Sequence, residues 1–317
     1  MKAAVIGCGM IGGGLDTPDD HMVLTHAHGY LCHESCKLVA CVDTNDAAIE
    51  RFRNKWGKDI RGYNDVRTML ECEKPEVVSI CTPTSHHASN IKTIYNYPFI
   101  RAVLCEKPLV DGLNEFFEVE RLIKNSSKVF AVNYIRCFDP SHLEALSVIQ
   151  SNILGIPLGF YGVFTKGLYH NGSHLLSFIE NLFGVITEVK VLDGGRIGGD
   201  LYGAYVVKTS CGVTGTLFNT SGDRYSVFEL DVILESGRIK FIDLGRRIEI
   251  YEAAPSKIFA GYRELMLKRV LPDTLSYYGI NSITCVLNLL RDDTRRVQLI
   301  SRQMDFSRRL LNLRDRL

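Results

Sequence analysis

Over the first 137 residues the hydrophobic runs are short and unbroken, and the stretches between them carry a helical period. "KAAVIG", "KLVACVD", "EVVSICTPT", "RAVLCEKPL" and "KVFAVNYI" lack polar alternation, which predicts strands buried on both faces. "NDAAIERFRNKWG", "HHASNIKTIYNY" and "LNEFFEVERLIKNS" space their apolar residues three and four apart, as amphipathic helices do. Strand and helix in alternation imply right-handed crossovers and a doubly wound parallel sheet.

After "FDPSHLEALSVIQSNILG" the pattern changes. "LGFYGVFTKG", "ITEVKVLDG", "AYVVKTSCG", "VTGTLFNTSG", "VFELDVILESG", "RIKFIDLG" and "RIEIYEA" read as strands parted by Gly-rich turns, interrupted by one helix, "SHLLSFIENLFG". Helical period returns from Tyr277, notably in "RRVQLISRQMDFSRRLLNL". The expected architecture is an α/β domain over 1–137 and an α+β domain with an open, mostly antiparallel sheet over 138–317. The helix near 295–317 is expected to pack back on the first domain.

Composition narrows the class without naming a chemistry. Of 317 residues, 46% are apolar and 23% charged, as in soluble globular proteins, and no apolar run is long enough to span a bilayer. A net charge of +1 argues against a broad nucleic-acid surface, although "SRRLLNLRDRL" is locally basic. The Met-Lys start followed by apolar residues has the beginnings of a secretory signal. Gly7 and Gly9 interrupt it, Asp16, Asp19 and Asp20 follow, and no small-residue cleavage site appears, so the first residue is read as mature protein.

Ten cysteines occur without a C-x-x-C pair. Cys8, Cys41, Cys81, Cys105 and Cys137 sit in or beside apolar runs, as buried free thiols do, which points to a reducing cytoplasm. His28, Cys32 and Cys36 would align at i, i+4 and i+8 on a helix. Cys36 falls where the next strand should begin and no fourth ligand is at hand, so the segment is read as a helix with incidental polar and thiol residues, and no metal is expected.

The candidate chemistry begins behind the first strand. Gly7-Cys8-Gly9-Met10-Ile11-Gly12 is G-x-G-x-x-G, specific when it follows a first strand of a parallel βαβ unit. Gly7 permits a tight turn, Gly9 lets backbone approach a pyrophosphate, and Gly12 permits close helix packing, so main-chain N–H groups bind the phosphates. "GGLDTPDD" cannot continue as helix because of Pro18 and the glycines. Helical pattern resumes near Thr25, a suitable N-cap, so an inserted loop separates the fingerprint from its helix. That places the acid ending the second strand, Asp43, later than usual. Asp43 would accept from ribose hydroxyls and repel a 2′-phosphate, and Thr44 and Asn45 offer no arginine, which favours NAD over NADP. "CTPTSHH" and "CEKP" end two further strands, where open α/β sheets bind ligands. There Lys107 can donate to a substrate oxygen and stabilise negative charge, or be an ordinary solvated loop lysine.

Taken together, "GCGMIG", "VACVD", "CTPTSHH", "CEKPL", "NYIRCFDP" and "HNGSHLLSF", in that order, make the chain resemble the Gfo/Idh/MocA family, most tellingly at Glu106-Lys107-Pro108. The resemblance implies a Rossmann-type domain followed by an open-sheet domain that often forms the face of homodimers or homotetramers. It assigns Gly7, Cys8, Gly9, Met10, Ile11, Gly12, Asp43, Thr82, Pro83, His87, Glu106 and Lys107 to the cofactor, and Lys107 and His174 to catalysis. His174 would exchange the proton of the hydroxyl being oxidised, and Asn133, Arg136 and Asn171 would help to position substrate. Where family members commonly carry aspartate four residues before that histidine, this chain has His170, which on a helix would share the face of His174, point toward the substrate and count as a third catalytic residue. The implied function is NAD-dependent hydride transfer to or from a secondary hydroxyl or ketone of a sugar, nucleotide-sugar or cyclic polyol. The alternatives are a dinucleotide-binding regulator without catalysis, and an enzyme that keeps its NAD and runs a redox-neutral sugar reaction.

Overall fold

The computed structural model describes residues 1–316, which fall into two compact units. The first, Met1–Ile135 with Ser276–Asn312, opens with β1 (Lys2–Ile6), a single wide turn (Met10–Gly14), α1 (His26–Cys32), β2 (Lys37–Val42) and α2 (Asp46–Trp56). It continues with β3 (Arg61–Tyr63), α3 (Val66–Glu73), β4 (Val77–Ile80), α4 (His87–Tyr95), β5 (Ala102–Cys105), α5 (Leu113–Lys124) and β6 (Val129–Val132). The strands order as β3-β2-β1-β4-β5-β6, all parallel. Chain order reverses between β1 and β4, so the loops leaving them diverge and open a crevice at the strands' C-terminal ends. Every residue of β4, β5 and β6 is buried, as unalternating apolar runs require.

The second unit covers Arg136–Leu275 and the chain from Leu313 onward. It holds α6 (Pro140–Gln150), β7 (Pro157–Thr165), α7 (Gly172–Phe183), β8 (Ile186–Ile197), β9 (Asp200–Thr209), β10 (Thr214–Thr220) and β11 (Phe228–Leu234). β12 (Gly237–Ile242), β13 (Arg247–Pro255) and β14 (Arg263–Leu271) complete a sheet ordered β14-β13-β12-β11-β7-β10-β9-β8, antiparallel except for the β7–β10 pair. α7 lies close on β7 because both sides of the contact are bare. A Cβ on Gly172 would come 2.8 Å from the Phe164 ring, and one on Gly162 would come 3.2 Å from Leu175.

The last helices are α8 (Tyr278–Leu289) and α9 (Asp293–Arg316). α8 and most of α9 belong to the first unit, so residues 138–317 are not one continuous domain. The close approach of α8 to α1 explains two glycines: a Cβ on Gly29 would meet Gly279 backbone at 2.6 Å. Among the described residues no helix is long and apolar enough to cross a membrane.

Candidate active site

Gly7 ends β1 at φ +101°, a left-handed conformation that favours glycine, and donates its N–H to Val42 O at 2.7 Å. A Cβ there would lie 2.7 Å from the Cys81 carbonyl and 2.8 Å from Thr82 N, so the turn is pressed against the start of the Thr82-Pro83 loop. The following wide turn closes with Gly14 N–H on Gly9 O at 3.1 Å and Leu15 N–H on Met10 O at 3.0 Å. Nothing lies within 4 Å of where a Gly9 Cβ would be, so that flank is open to a ligand's approach. The amides of Met10, Ile11 and Gly12 find no protein acceptor among the described residues. Unspent N–H groups beside an open glycine fit a pyrophosphate. Gly12 has a different task from the helix packing expected of it: its Cβ would strike Gly7 O at 2.0 Å. Helix packing falls to Gly13, whose Cβ would meet Phe52 and Trp56 of α2.

The back of the turn is closed by residues that sequence reasoning missed. Lys55 Nζ donates to the carbonyls of Gly13, Gly14 and Asp16 at 3.0, 3.2 and 3.0 Å, and Trp56 Nε1 to Gly13 O at 2.9 Å. Asp16, 3% exposed, knots the inserted loop. Its Oδ2 accepts from Leu24 N, Thr25 N and His28 Nδ1 at 2.6, 3.1 and 2.9 Å, and its Oδ1 from the Thr25 hydroxyl at 2.6 Å. Thr25 in turn caps α1 through His28 N. His28 is thus engaged with Asp16, Cys32 is exposed, and Cys36 lies beyond the end of α1.

Asp43 Oδ2 accepts from Cys8 N at 2.8 Å and its Oδ1 from Asn45 N at 3.0 Å. A carboxylate has lone pairs beyond those two, so Asp43 still fits a ribose diol while holding the fingerprint to the end of β2. A hydrogen bond to Cys41, then burial, pushes the Cys8 thiol far above its ordinary range, which leaves it neutral. Met10 is 64% exposed and Ile11 half-buried.

The loops after β4 and β5 are joined by His87. Its Nε2 lies 2.9 Å from Thr82 O, and its Nδ1 lies 3.0 Å from Pro108 O and 3.2 Å from Leu109 O. The imidazole cross-links the Thr82-Pro83 loop to the Glu106-Lys107-Pro108 turn, with both ring nitrogens turned to protein carbonyls. Glu106 Oε1 accepts from His26 Nε2 at 2.9 Å and Asn133 Nδ2 at 2.6 Å. Burial pushes the Glu106 carboxyl upward, but the hydrogen bonds from His26 and Asn133 and the charge of Lys107 outweigh it and hold it below the usual carboxylate range. Half-buried Lys107 follows directly, joined to Pro108 by a cis peptide. Asn133, expected beside substrate, is buried, donating from its amide nitrogen to Glu106 and accepting the Ser282 hydroxyl on its oxygen at 2.7 Å.

In the second unit, buried His174 sits in the first turn of α7, its N–H bonded to Asn171 O at 3.2 Å. His170 is not on that helix, which begins at Gly172, so the shared-face expectation fails. It is exposed in the preceding turn, where Asp200 gathers the backbone: Oδ1 accepts Tyr169 N–H at 2.8 Å and Oδ2 accepts His170 N–H at 2.9 Å. Asn171 Nδ2 donates to Thr165 O at 2.8 Å, fixing the entry to α7. Arg136, expected near substrate, is buried, stacked 3.3 Å over the Phe228 ring, and donates to Leu244 O at 2.6 Å. No group of three His, Cys, Asp or Glu side chains is placed to hold a metal among the described residues.

Residues 1–134 match the model of an oxidoreductase family with an NAD-binding Rossmann fold. Over 165 residues the chain is 27% identical to inositol 2-dehydrogenase of Salmonella typhimurium, covering 51% of this chain and 45% of that one. Over 195 residues it is 26% identical to scyllo-inositol 2-dehydrogenase (NAD(+)) of Bacillus subtilis, covering 61% and 52%. The match thus spans about half the length of these curated relatives. Solved structures extend the likeness of fold to nearly the whole chain. A dehydrogenase from Chromobacterium violaceum superposes with a TM-score of 0.75 at 16% identity, covering 98% of this chain and 93% of that one. A 3-ketoreductase from Actinomadura kijaniata in complex with NADP gives 0.73 at 15%, covering 97% and 95%. A glycine turn behind the first strand, an acid ending the second and an E-K-P turn at the fifth agree with that match: over residues 1–134 the chain is similar to the Gfo/Idh/MocA oxidoreductases.

Proposed function

We propose that the protein is an NAD-dependent oxidoreductase acting on a secondary hydroxyl or ketone of a sugar, nucleotide-sugar or cyclic polyol. The observation that carries this reading is the pairing of unspent amides at Met10–Gly12 with the Asp43 carboxylate at Cys8 N. One set suits phosphate, the other a ribose diol. The negative charge of Asp43 disfavours a 2′-phosphate, which supports NAD over NADP. When bound, the nicotinamide supplies the site that gives or takes hydride. Lys107 donates a hydrogen bond to the substrate oxygen and stabilises alkoxide character there. His174 takes the hydroxyl proton during oxidation and returns it during reduction, a role suited to a group that ordinarily titrates near ~6.5. His170 and Asn171 shape the turn beside it. The inositol dehydrogenases and the D-glucoside 3-dehydrogenase among the similar proteins support the substrate class. We further infer assembly as a homodimer or homotetramer through the second unit's sheet, and residence in the cytoplasm, the ten cysteines being free thiols.

The test compares Lys107→Ala and His174→Ala with the parent protein, following NADH absorbance with inositols and sugars and dinucleotide affinity by titration. Each substitution is expected to cut turnover by about 10²-fold or more, with NAD affinity changed less than about threefold. Full turnover in both variants overturns the assignment.

A further inference from the structure

Six polar side chains form one continuous buried chain behind the lysine turn: Tyr30 and His26 on α1, Ser79 on β4, Glu106 after β5, Asn133 after β6, and Ser282 on α8. Tyr30 Oη lies 2.8 Å from Ser79 Oγ, which lies 2.8 Å from His26 Nδ1. His26 Nε2 lies 2.9 Å from Glu106 Oε1, which also takes Asn133 Nδ2–H at 2.6 Å, and Ser282 donates to Asn133 Oδ1 at 2.7 Å.

The protons follow from closing this chain. An ionised carboxylate only accepts, so Nε2 of His26 carries hydrogen and Nδ1 is left to accept. Ser79 then donates to Nδ1, and Tyr30 donates to Ser79. In this direction Tyr30, Ser79, His26 and Ser282 each meet an acceptor, and Asn133 gives one of its two amide hydrogens to Glu106. A doubly protonated imidazole would donate to Ser79 Oγ as well, and the chain would then hold no acceptor for one of the two hydroxyl hydrogens of Ser79 and Tyr30. Buried polar groups are rarely left so.

We propose that His26 is a positioning residue for the reaction: by donating from Nε2 to Glu106 it sets the rotation of the peptide that carries Lys107. The inference rests on the oxidoreductase reading, in which Lys107 meets substrate. It also gives the helix that follows the fingerprint a mechanical tie to the lysine turn, since His26 stands next to Thr25, the cap of α1.

Three variants separate positioning from mere stability. Glutamine at position 26 keeps an N–H donor long enough to reach Glu106, asparagine is too short for that, and alanine has none. His26→Ala and His26→Asn are expected to lower kcat about 10- to 100-fold, the effect of misplacing a group by about 1 Å, with dinucleotide KM and Kd changed less than about threefold. His26→Gln is expected to recover to within about fivefold of the parent. Independently of any substrate, protein carrying 15N-histidine should show an Nε2–H proton protected from water exchange, absent in His26→Gln and shifted in Glu106→Gln. Turnover of His26→Ala within twofold of the parent, or equal losses in all three variants in step with their thermal stability, overturns the proposal. So does the absence of the protected proton. A parent protein inactive on every sugar and polyol instead defeats the oxidoreductase reading, and the labelled protein then still decides whether His26 donates to Glu106.

Discussion

Replacing Asp16 by alanine removes the acceptor for four donors at once: Leu24 N, Thr25 N, the Thr25 hydroxyl and His28 Nδ1. The site is buried, so water cannot freely take over, and leaving a buried donor unsatisfied costs about 1–3 kcal/mol. Local relaxation lets the two backbone amides reach solvent, so the sum is not fully felt. The expected loss is about 3–5 kcal/mol, as for other buried charged networks broken on one side. In a unit of this size each kcal/mol moves Tm by about 2–4 °C, so the first unit should melt about 6–20 °C lower. Asp16→Asn keeps one acceptor oxygen and should lose about half as much. The assay is differential scanning calorimetry, in which the two units can be followed as separate transitions where they resolve. NAD affinity should weaken alongside, because the carbonyl of Asp16 also receives Lys55 at the back of the glycine turn. An unchanged Tm in Asp16→Ala would refute the reasoning and mean that the inserted loop does not hold α1 in place.

Asp43→Asn keeps an oxygen for Cys8 N but removes the charge, and is expected to weaken NADH binding about tenfold, or ~1.4 kcal/mol, while narrowing the gap to NADPH. Fluorescence titration with both cofactors checks this, and an unaltered ratio of Kd values counts against it. Glu106 is held below the ordinary carboxylate range, so on acidification the unfolded chain takes up the proton first. Its stabilising contribution is therefore complete above the unfolded value of about 4.3 and is lost as pH falls through the folded value. Glu106→Gln should flatten the acid limb of a Tm-against-pH curve, and an equally steep limb would contradict the assignment.

Much of the nucleotide-binding half is legible in the sequence because its determinants are local. Unalternating apolar runs predict strands buried on both faces, and G-x-G-x-x-G behind the first of them predicts a turn that only glycines can make. Thr25 was readable as a helix cap because its neighbours in sequence are also its partners in space. β14 is not legible in the sequence for the opposite reason. Only Leu271 of that strand is buried, so no alternation marks it, and its place is set by pairing with β13. β3, at three residues, is too short to carry a pattern.

The site divides in the same way. Residue types at strand ends pointed to Asp43, Thr82 and Lys107, but which neighbours hold them is not written nearby in the chain. Nothing local in the sequence marks Asp16, Lys55, Asp200 or Ser282 as a support of the site, and Asn133 and Arg136 were expected as substrate contacts. Tertiary structure instead commits Asn133 to Glu106 and Ser282, and Arg136 to Phe228 and Leu244. The sequence alone determined the glycine turn, the parallel sheet and the chemical types at its rim, since those follow from backbone sterics and local periodicity. Only the fold decided which polar groups spend their hydrogen bonds on one another, because that depends on partners as far apart as Asn133 and Ser282, which no local pattern can pair.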